Sequence, residues 1–361
     1  MSVYSDRLVK IRKLIKNTNE ALLISNEKNV YYFSGILNCE GRVFITADEA
    51  YLLVDFRYIE LAKKKCESCK VVEFKSLTDD IINLCKKHSV DTLYLEAESI
   101  TVSVYNMYIR KFNSSGISLI SDDTLSKAVS NLRIIKSKEE TEYIETAQRI
   151  TEKAYNEVLN YIKPDVSERK ISLELEYLLK KYGASDVSFD LITITGKKTS
   201  LPHGVPSGDK IAEGDFFTMD IGSIYNGYHS DMTRTVAVKH CDEYKREVYS
   251  IVLNAQISAL EKVKAGVKAF DVDKTARDII KNAGYGDNFG HSTGHGVGLD
   301  IHEKPFVSPK SDSILSEGMV ITVEPGIYLE NKFGVRIEDM ILVTENGYHN
   351  FATLTKELII V

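Results

Sequence analysis

The sequence contains no long apolar run, and no stretch approaches the about 18 residues that a transmembrane helix needs. It has no basic stripe either, because its 46 Lys and Arg residues are outnumbered by 52 Asp and Glu residues. This balance argues against nucleic acid as a partner. The cations near the N-terminus alternate with Leu8, Val9 and Ile11, which predicts an amphipathic helix rather than a signal peptide. We therefore expect a cytoplasmic protein with no membrane partner.

Cysteine and proline are also scarce, with five and six residues among 361. An odd number of cysteines fits a reduced compartment. All six prolines follow residue 163, so the composition changes along the chain. The chain is longer than one typical domain. These observations predict two domains, residues 1–128 and residues 129–361.

The predicted elements differ between the two parts. Up to about residue 125, helical and strand-like patterns alternate, which predicts a mixed α/β layer. The second part has helical patterns over residues 137–162, 167–182, 243–263 and 269–283. Ser137 and Glu140 form a capping box that predicts the start of the first of these. A strand over Val187–Thr195 leads to the loop that carries His203. We expect helices outside a curved sheet whose acidic side chains project inward.

Five residues of the second part have the side chains of a dinuclear metal site. Four acids lie in strand-like apolar runs, and one histidine is flanked by glycines. The five are Asp220, Asp231, His295, Glu324 and Glu338. Four carboxylates buried without counter-charge would be very costly, so the pattern implies bound cations. We expect two divalent ions, with Mn²⁺ as the first expectation and Co²⁺, Zn²⁺ or Fe²⁺ also admissible.

A hairpin places the first two acids. Asn226-Gly227 separates two β-rich runs and predicts a two-residue type I′ turn. Counting outward from this turn, Asp220 lies opposite Thr233, and Asp231 lies diagonal to Asp220 on the same face. A diagonal spacing of about 7–8 Å suits two carboxylates that bind ions about 3.5–4 Å apart. Two acids alone would by default indicate the polar solvent face of a hairpin, but five matched ligands do not.

An internal repeat links Asp220 to Glu324. Residues 213–222 and 317–326 both run from a Glu-Gly pair through an apolar strand to an acid, with a glycine two residues later. Strand pairs related by a pseudo-two-fold axis would bring one acid from each half to the centre. Chance similarity between two short apolar strands is the alternative.

The second part resembles the pita-bread metallopeptidases, which include Xaa-Pro aminopeptidases, Xaa-Pro dipeptidases and methionine aminopeptidases. The resemblance spans residues 138–361 and is carried by the five ligand motifs, by Pro202-His203-Gly204 and by residues 292–303. Residues 29–35 resemble the N-terminal domain of the proline-directed members. The resemblance implies an α/β N-terminal domain followed by a pseudo-two-fold curved antiparallel sheet covered by helices, and it implies a homodimer.

The resemblance also implies roles for the ligands. Asp231 and Glu338 would bridge the two ions, Asp220 would bind one ion, and His295 with Glu324 would bind the other. Metal binding lowers the pKa of water toward about 7 and supplies a nucleophile. Glu324 would transfer a proton to the leaving nitrogen.

Four further residues are candidates for substrate contact. By resemblance, His203 and His302 would donate hydrogen bonds to the substrate carbonyl and to the tetrahedral oxyanion. His291, four residues before His295, is a candidate for the lining of the substrate site. Arg336 lies two residues before Glu338 and would share its face on a strand. We expect Arg336 to orient a carboxylate or to contact substrate.

The preferred substrate length depends on one departure from the family pattern. Dipeptidases of this type often have a His-Glu-x-Pro-Arg run, whereas this chain has Phe306 where that arginine would stand. Without a bidentate carboxylate clamp, restriction to dipeptides is weaker. We therefore expect an Xaa-Pro aminopeptidase that acts on peptides with proline in the second position. Lys304 or Arg336 could restore the clamp, so the alternative is a dipeptide-restricted Xaa-Pro dipeptidase.

Three other functions fit less well. A methionine aminopeptidase would not need the N-terminal domain, and creatinase-like C–N hydrolysis would not need the metal ligands. A non-catalytic peptide-binding protein on the same fold should have lost at least one ligand, and none is missing.

Overall fold

The computed structural model describes residues 2–361 and divides into two compact units, one ending at Arg133 and one comprising Ile134–Val361. The predicted boundary after residue 128 lies inside a helix, Thr124–Ile134. Within the described residues, no helix is long and apolar enough to cross a membrane. The five cysteines are free thiols.

The N-terminal unit is built around one mixed sheet. Its elements are α1 Val3–Arg12, β1 Glu20–Ile24, α2 Glu27–Ser34, β2 Arg42–Ile45, β3 Ala50–Val54, α3 Ile59–Lys65, β4 Lys70–Glu73, α4 Leu77–Lys87, β5 Thr92–Leu95, α5 Val102–Asn113, β6 Ser118–Ile120 and α6 Thr124–Ile134. The strand order is β4-β3-β2-β1-β5-β6. β1–β2 and β2–β3 are antiparallel, while the other neighbours are parallel. The predicted mixed α/β layer is therefore confirmed.

The C-terminal unit combines four α-helices with short antiparallel strands. Its helices are α7 Lys138–Val158, α8 Glu168–Lys181, α9 Glu243–Lys262 and α10 Ala269–Ile280. Its strands are β7 Asp186–Val187, β8 Ile192–Thr195, β9 Phe216–Ile221, β10 Ser223–Tyr225, β11 Tyr228–His229, β12 Met232–Ala237, β13 Gly294–Gly296, β14 Glu303–Val307, β15 Val320–Val323, β16 Gly326–Leu329, β17 Phe333–Arg336, β18 Asp339–Val343 and β19 Tyr348–Asn350.

Each half of this unit has its own apolar core. Buried side chains of α7 and α8, such as Ile150 and Leu178, pack against Met219 and Val236 of the β9–β12 pair. In the other half, buried side chains of α9 and α10 pack against β15 and β18. Burial of apolar area is the main favourable contribution to these layers. The helices therefore cover the outward faces of two strand pairs.

Local sequence signals define the helix starts. The capping box predicted at Ser137 is present, because its Oγ accepts from the amide of Glu140 and its own amide donates to that side chain. Ser167 caps α8 with its Oγ alone, which accepts from the amide of Lys170. These bonds satisfy amides that have no partner within the helix.

The strand predicted over Val187–Thr195 is wrong as a single element. It is divided into β7, which pairs with β10, and β8, which pairs with β9. Ser188 Oγ hydrogen-bonds the carbonyl of Ser230 at 2.8 Å, so the chain leaves one sheet and enters another at this point. α10 also ends at Ile280, three residues before the predicted end, because a π-helical turn over Lys281–Tyr285 follows with Gly284 at φ 91°.

Candidate metal centre

The first strand pair has the predicted register. Tyr225 pairs with Tyr228, and Asp220 pairs with Thr233. Asn226 and Gly227 have φ values of 48° and 81°, as a type I′ turn requires. Asp220 therefore lies near the end of β9, and Asp231 immediately precedes β12.

The second strand pair repeats this arrangement. Val323 pairs with Asp339, and Gly326 pairs with Arg336 on the far side of a short break in the ladder. Glu324 and Glu338 therefore face each other within that break. The acids of both pairs thus lie where one sheet ends and the next begins.

His295 comes from a third strand, β13, which approaches the backbone of its neighbour very closely. A Cβ atom at Gly294 would lie 1.9 Å from the carbonyl oxygen of Thr322, so only glycine fits beside the histidine. The His295 Nδ1 atom lies 3.1 Å from the carbonyl oxygen of Gly296. Nδ1 donates in this contact, which leaves Nε2 as the ligand atom.

The predicted ligands converge, but not all to the same degree. One potential ligand atom from each of Asp231, His295 and Glu338 lies within 4.8 Å of the others. Glu324 adjoins this group, with its Oε1 atom 3.3 Å from His295 Nε2. Asp220 is turned toward Arg336, whose Nη2 atom lies 2.7 Å from Asp220 Oδ2. Three residues thus form the centre of the cluster, and two flank it.

The electrostatics of the cluster favour bound cations. Burial, followed by the charge of Glu338, raises the pKa of Asp231 well above its ordinary value. Burial and the charge of Glu324 raise the pKa of Glu338 in the same way. The Oδ1 atom of Asp220 is buried without a hydrogen-bond partner, and such an atom is costly to leave unmatched. An oxygen-rich donor set with one imidazole and one unmatched oxygen fits divalent ions.

Arg336 connects the two halves of the cluster. In addition to its contact with Asp220, its Nε donates to Thr233 Oγ1 at 3.1 Å, and its Nη1 donates to Tyr328 at 2.8 Å. Tyr328 was missed from the sequence. It also lies 2.8 Å from His291 Nε2, so it links the arginine to a candidate substrate residue.

A cavity of about 820 Å³ opens onto the cluster. All nine predicted site residues line it: Asp220, Asp231, His295, Glu324, Glu338, His203, His291, His302 and Arg336. The His302 ring lies edge-on to the His295 ring, with 4.3 Å between centroids. Burial, followed by the charge of His295, lowers the pKa of His302. A neutral imidazole is thus favoured beside the cluster.

The loop that carries His203 is fixed by a carboxylate that the sequence did not reveal. Glu168 is fully buried. Its Oε1 accepts from the amide of Thr195 at 2.9 Å, while its Oε2 accepts from the amide of Ser207 at 2.9 Å and from Lys198 Nζ at 2.6 Å. Glu168 therefore ties both ends of this loop to the start of α8. No local sequence signal distinguishes it from an ordinary acid in a first helical turn.

Comparison with known families identifies the class of protein that this fold and site define. Residues 142–345 match metallopeptidase family M24, and residues 7–135 match the creatinase/prolidase N-terminal domain. The chain belongs to metallopeptidase family M24. The predicted family, fold class and metal-dependent peptidase activity are confirmed.

Individual relatives extend over nearly the whole chain. The Xaa-Pro dipeptidase of Pyrococcus furiosus is 42% identical over 98% of this chain and 99% of its own. The solved Xaa-Pro dipeptidase from Bacillus anthracis has a TM-score of 0.95 at 37% identity, covering 99% of this chain and 100% of its own. The X-Pro aminopeptidase from Thermotoga maritima has a TM-score of 0.90 at 36% identity, covering 97% and 99%. These structures thus include both types of proline-directed exopeptidase.

Proposed function

We propose that this metallopeptidase cleaves the bond between an N-terminal residue and a following proline. The observation that carries this proposal is the single cavity lined by all nine candidate residues. The relatives named Xaa-Pro dipeptidase and X-Pro aminopeptidase share almost the full length of this chain, which supports the choice of proline in the second position.

The five acidic and imidazole ligands would hold two divalent ions. By the family resemblance, Asp231 and Glu338 would contact both ions, Asp220 would complete the ligands of one, and His295 with Glu324 would complete those of the other. The donor set favours Mn²⁺ first, then Co²⁺, Zn²⁺ or Fe²⁺. Bound divalent ions supply Lewis acidity and a water molecule of lowered pKa.

The residues around the ligands would transfer a proton and stabilise the negative charge that develops on the substrate oxygen. Glu324 accepts a hydrogen bond from Thr322 Oγ1 at 3.2 Å and contacts His295, so its carboxylate is held in one orientation. We assign to it the transfer of a proton to the proline nitrogen as the peptide bond breaks. His203 and His302 would donate to the substrate carbonyl oxygen and to the oxyanion, and His291 would contact substrate from the Tyr328 side.

The preferred substrate is a peptide longer than two residues. Phe306 lines the cavity where a carboxylate-binding arginine would suit a dipeptidase. Lys304 is not among the lining residues, and Arg336 already contacts Asp220, Thr233 and Tyr328. The names of the Pyrococcus furiosus and Bacillus anthracis relatives, both Xaa-Pro dipeptidases, favour the alternative, an enzyme restricted to dipeptides.

One assay separates these functions. Protein stripped of metal and reconstituted with Mn²⁺ is offered an Xaa-Pro dipeptide, the matching Xaa-Pro-Yaa tripeptide and an Xaa-Ala-Yaa control. We expect kcat/KM for the tripeptide to equal or exceed that for the dipeptide, with little cleavage of the control. Cleavage of the dipeptide alone would establish the alternative. Activity that persists after complete metal removal, verified by elemental analysis, would contradict the metal-dependent mechanism.

Two further properties are proposed from the family resemblance. We expect a homodimer, which light scattering at micromolar concentration would test, and a monomer would contradict it. We also expect the protein to act in the cytoplasm on peptides rather than on nucleic acid, and fractionation of the producing cells would check the compartment.

A further inference from the structure

The lining of the cavity has a more buried part and a more exposed part. The more buried part contains the four acids of the metal centre, of which Asp231 and Glu338 are buried and Asp220 and Glu324 are half-buried. The more exposed end includes one face of α8, at the i, i+3, i+4 and i+7 positions Arg169, Ser172, Leu173 and Glu176. With a helical rise of about 1.5 Å per residue, this face is about 10 Å long, the length of about three residues of extended chain.

Among residues 2–361, two arginines line this cavity, and they differ in burial and in hydrogen-bond partners. Arg336 is buried, and its guanidinium donates to Asp220, Thr233 and Tyr328. Arg169 is exposed, and its side chain makes no hydrogen bond or ion pair with another described residue. Arg169 is therefore the lining arginine that remains available for an anionic group of the substrate.

The backbone that carries Arg169 is held firmly. Its amide donates to the carbonyl of Ser207 at 2.9 Å, and the preceding residue is the buried Glu168 that ties down the His203 loop. These hydrogen bonds hold the start of α8 against both ends of the loop that carries His203. A cation on a rigid helix is better suited to a fixed subsite than one on a free loop.

Apolar side chains stand exposed in the same lining. Leu173 is 62% exposed, Val205 is 76% exposed and Phe306 is 47% exposed. Exposed apolar groups that cluster in a concave site mark a binding surface more often than scattered ones do. Together with Arg169 they offer apolar contact and a positive charge. The same lining holds two acids, Glu176, whose carboxylate pairs with Lys180 at 2.8 Å, and the exposed Asp190.

We propose that this end of the cavity binds the residue that follows proline, and that Arg169 binds its C-terminal carboxylate. The inference rests on the proposed function, because it takes the scissile Xaa-Pro bond to lie at the metal centre. A peptide whose Xaa-Pro bond lies at the metal centre carries the carboxylate of its third residue beyond the proline, away from the metal ligands. The carboxylate can then meet the exposed α8 face of the lining, where the Arg169 guanidinium can bind both of its oxygens.

The test compares free tripeptide acids with their amides. Full-length protein reconstituted with Mn²⁺ is assayed on Xaa-Pro-Leu and Xaa-Pro-Leu-amide, as wild type, Arg169→Gln and Lys170→Gln. Lys170 is the matched control, since it is the next residue of α8, is also exposed, and does not line the cavity. We expect the wild type to favour the acid by about two- to fivefold in kcat/KM, mainly through KM. Arg169→Gln should bring the ratio near one, whereas Lys170→Gln should leave it unchanged.

Two further readouts support or overturn the inference. The acid preference of the wild type should weaken in high salt, because the arginine is exposed. Leu173→Ser should raise KM for the tripeptide, whereas Tyr177→Ser, with similar exposure but outside the lining, should not. An equal ratio for wild type and Arg169→Gln, or an Arg169 effect confined to dipeptides, would overturn the inference. Failure to cleave any Xaa-Pro peptide would instead contradict the proposed function.

Discussion

The strands β9 and β12 form one antiparallel pair of the C-terminal unit, and β15 and β18 form another with the same backbone design. Each pair follows a glycine with positive φ, 80° at Gly214 and 88° at Gly318. The amide of Gly214 donates to Val238, and that of Gly318 donates to Val343. Both ladders break beside an acid and resume as a second hairpin segment. The internal repeat therefore corresponds to a repeated structure.

The charges of the two pairs are not repeated. Asp231 lies two residues before Thr233, the partner of Asp220. Arg336 lies two residues before Glu338 in the corresponding place of the second pair. Equivalent positions thus carry an acid in one half and a cation in the other, and Arg336 reaches across to Asp220. The repeated backbone thus carries different side chains at equivalent positions, and the Arg336 guanidinium supplies a positive charge beside Asp220 within the protein itself.

The largest expected effect comes from replacing one of the two equivalent acids, Asp220 or Glu324, with its amide. Glu324→Gln should lower kcat by about 10⁴-fold, since it removes both a ligand charge and the proton-transfer group. Asp220→Asn removes a ligand charge only, so its loss should be at least about tenfold smaller. Steady-state kinetics with metal content measured in parallel would compare them. Equal losses would mean that Glu324 acts only as a ligand.

Next in size is the loss of a hydrogen-bond donor beside the centre. His302→Ala should lower kcat by about 10²–10³-fold if His302 stabilises the oxyanion. His349→Ala is a suitable control, because that histidine lies outside the cavity and is 54% exposed. A wild-type kcat for His302→Ala would remove His302 from the mechanism.

Removal of the Arg336 side-chain charge directly tests the charge difference between the two strand pairs. Arg336→Gln leaves the Asp220 carboxylate buried without its partner, which should cost about 3–5 kcal/mol of unfolding free energy in metal-free protein. Added Mn²⁺ should recover part of this loss, because ligands that bind the folded state stabilise it. Thermal or urea unfolding with and without metal measures both. If Arg336→Gln is as stable as wild type without metal, the pairing with Asp220 contributes no net stability.

The smallest effects should come from substitution of the left-handed glycine that precedes each strand pair. Gly214→Ala and Gly318→Ala both place a Cβ atom on a left-handed residue, which costs about 1–2 kcal/mol. The added Cβ would meet His240 in the first case and Ile135 in the second, each at 2.9 Å. His240 meets the new Cβ with Nε2 at the end of an exposed side chain, whereas Ile135 meets it with Cγ2, which is attached to the Cβ of a residue whose backbone pairs with Met319. Gly214→Ala should therefore be the milder change. Denaturant unfolding would detect the difference, and a milder Gly318→Ala would contradict it.

Much of the catalytic half could be predicted because its signals are local. The Asn226-Gly227 turn adopts positive φ without tertiary help, and it fixes the register that places Asp220 opposite Thr233. The Ser137 capping box likewise acts within one helical turn. The division of the strand predicted over Val187–Thr195 was not predictable, because it depends on the contact of Ser188 with the distant Ser230.

The sequence by itself determined the family, the two strand pairs and the identity of the candidate ligands, because residue type, spacing and turn preference are properties of short segments. Tertiary structure alone decided the partners across those segments. In the folded protein, Arg336 pairs with Asp220 of the other half, and Glu168 is buried beneath the His203 loop. Arg169 becomes part of the cavity lining. These contacts join residues that are far apart in the chain, and no local preference specifies which distant group a long charged side chain will meet.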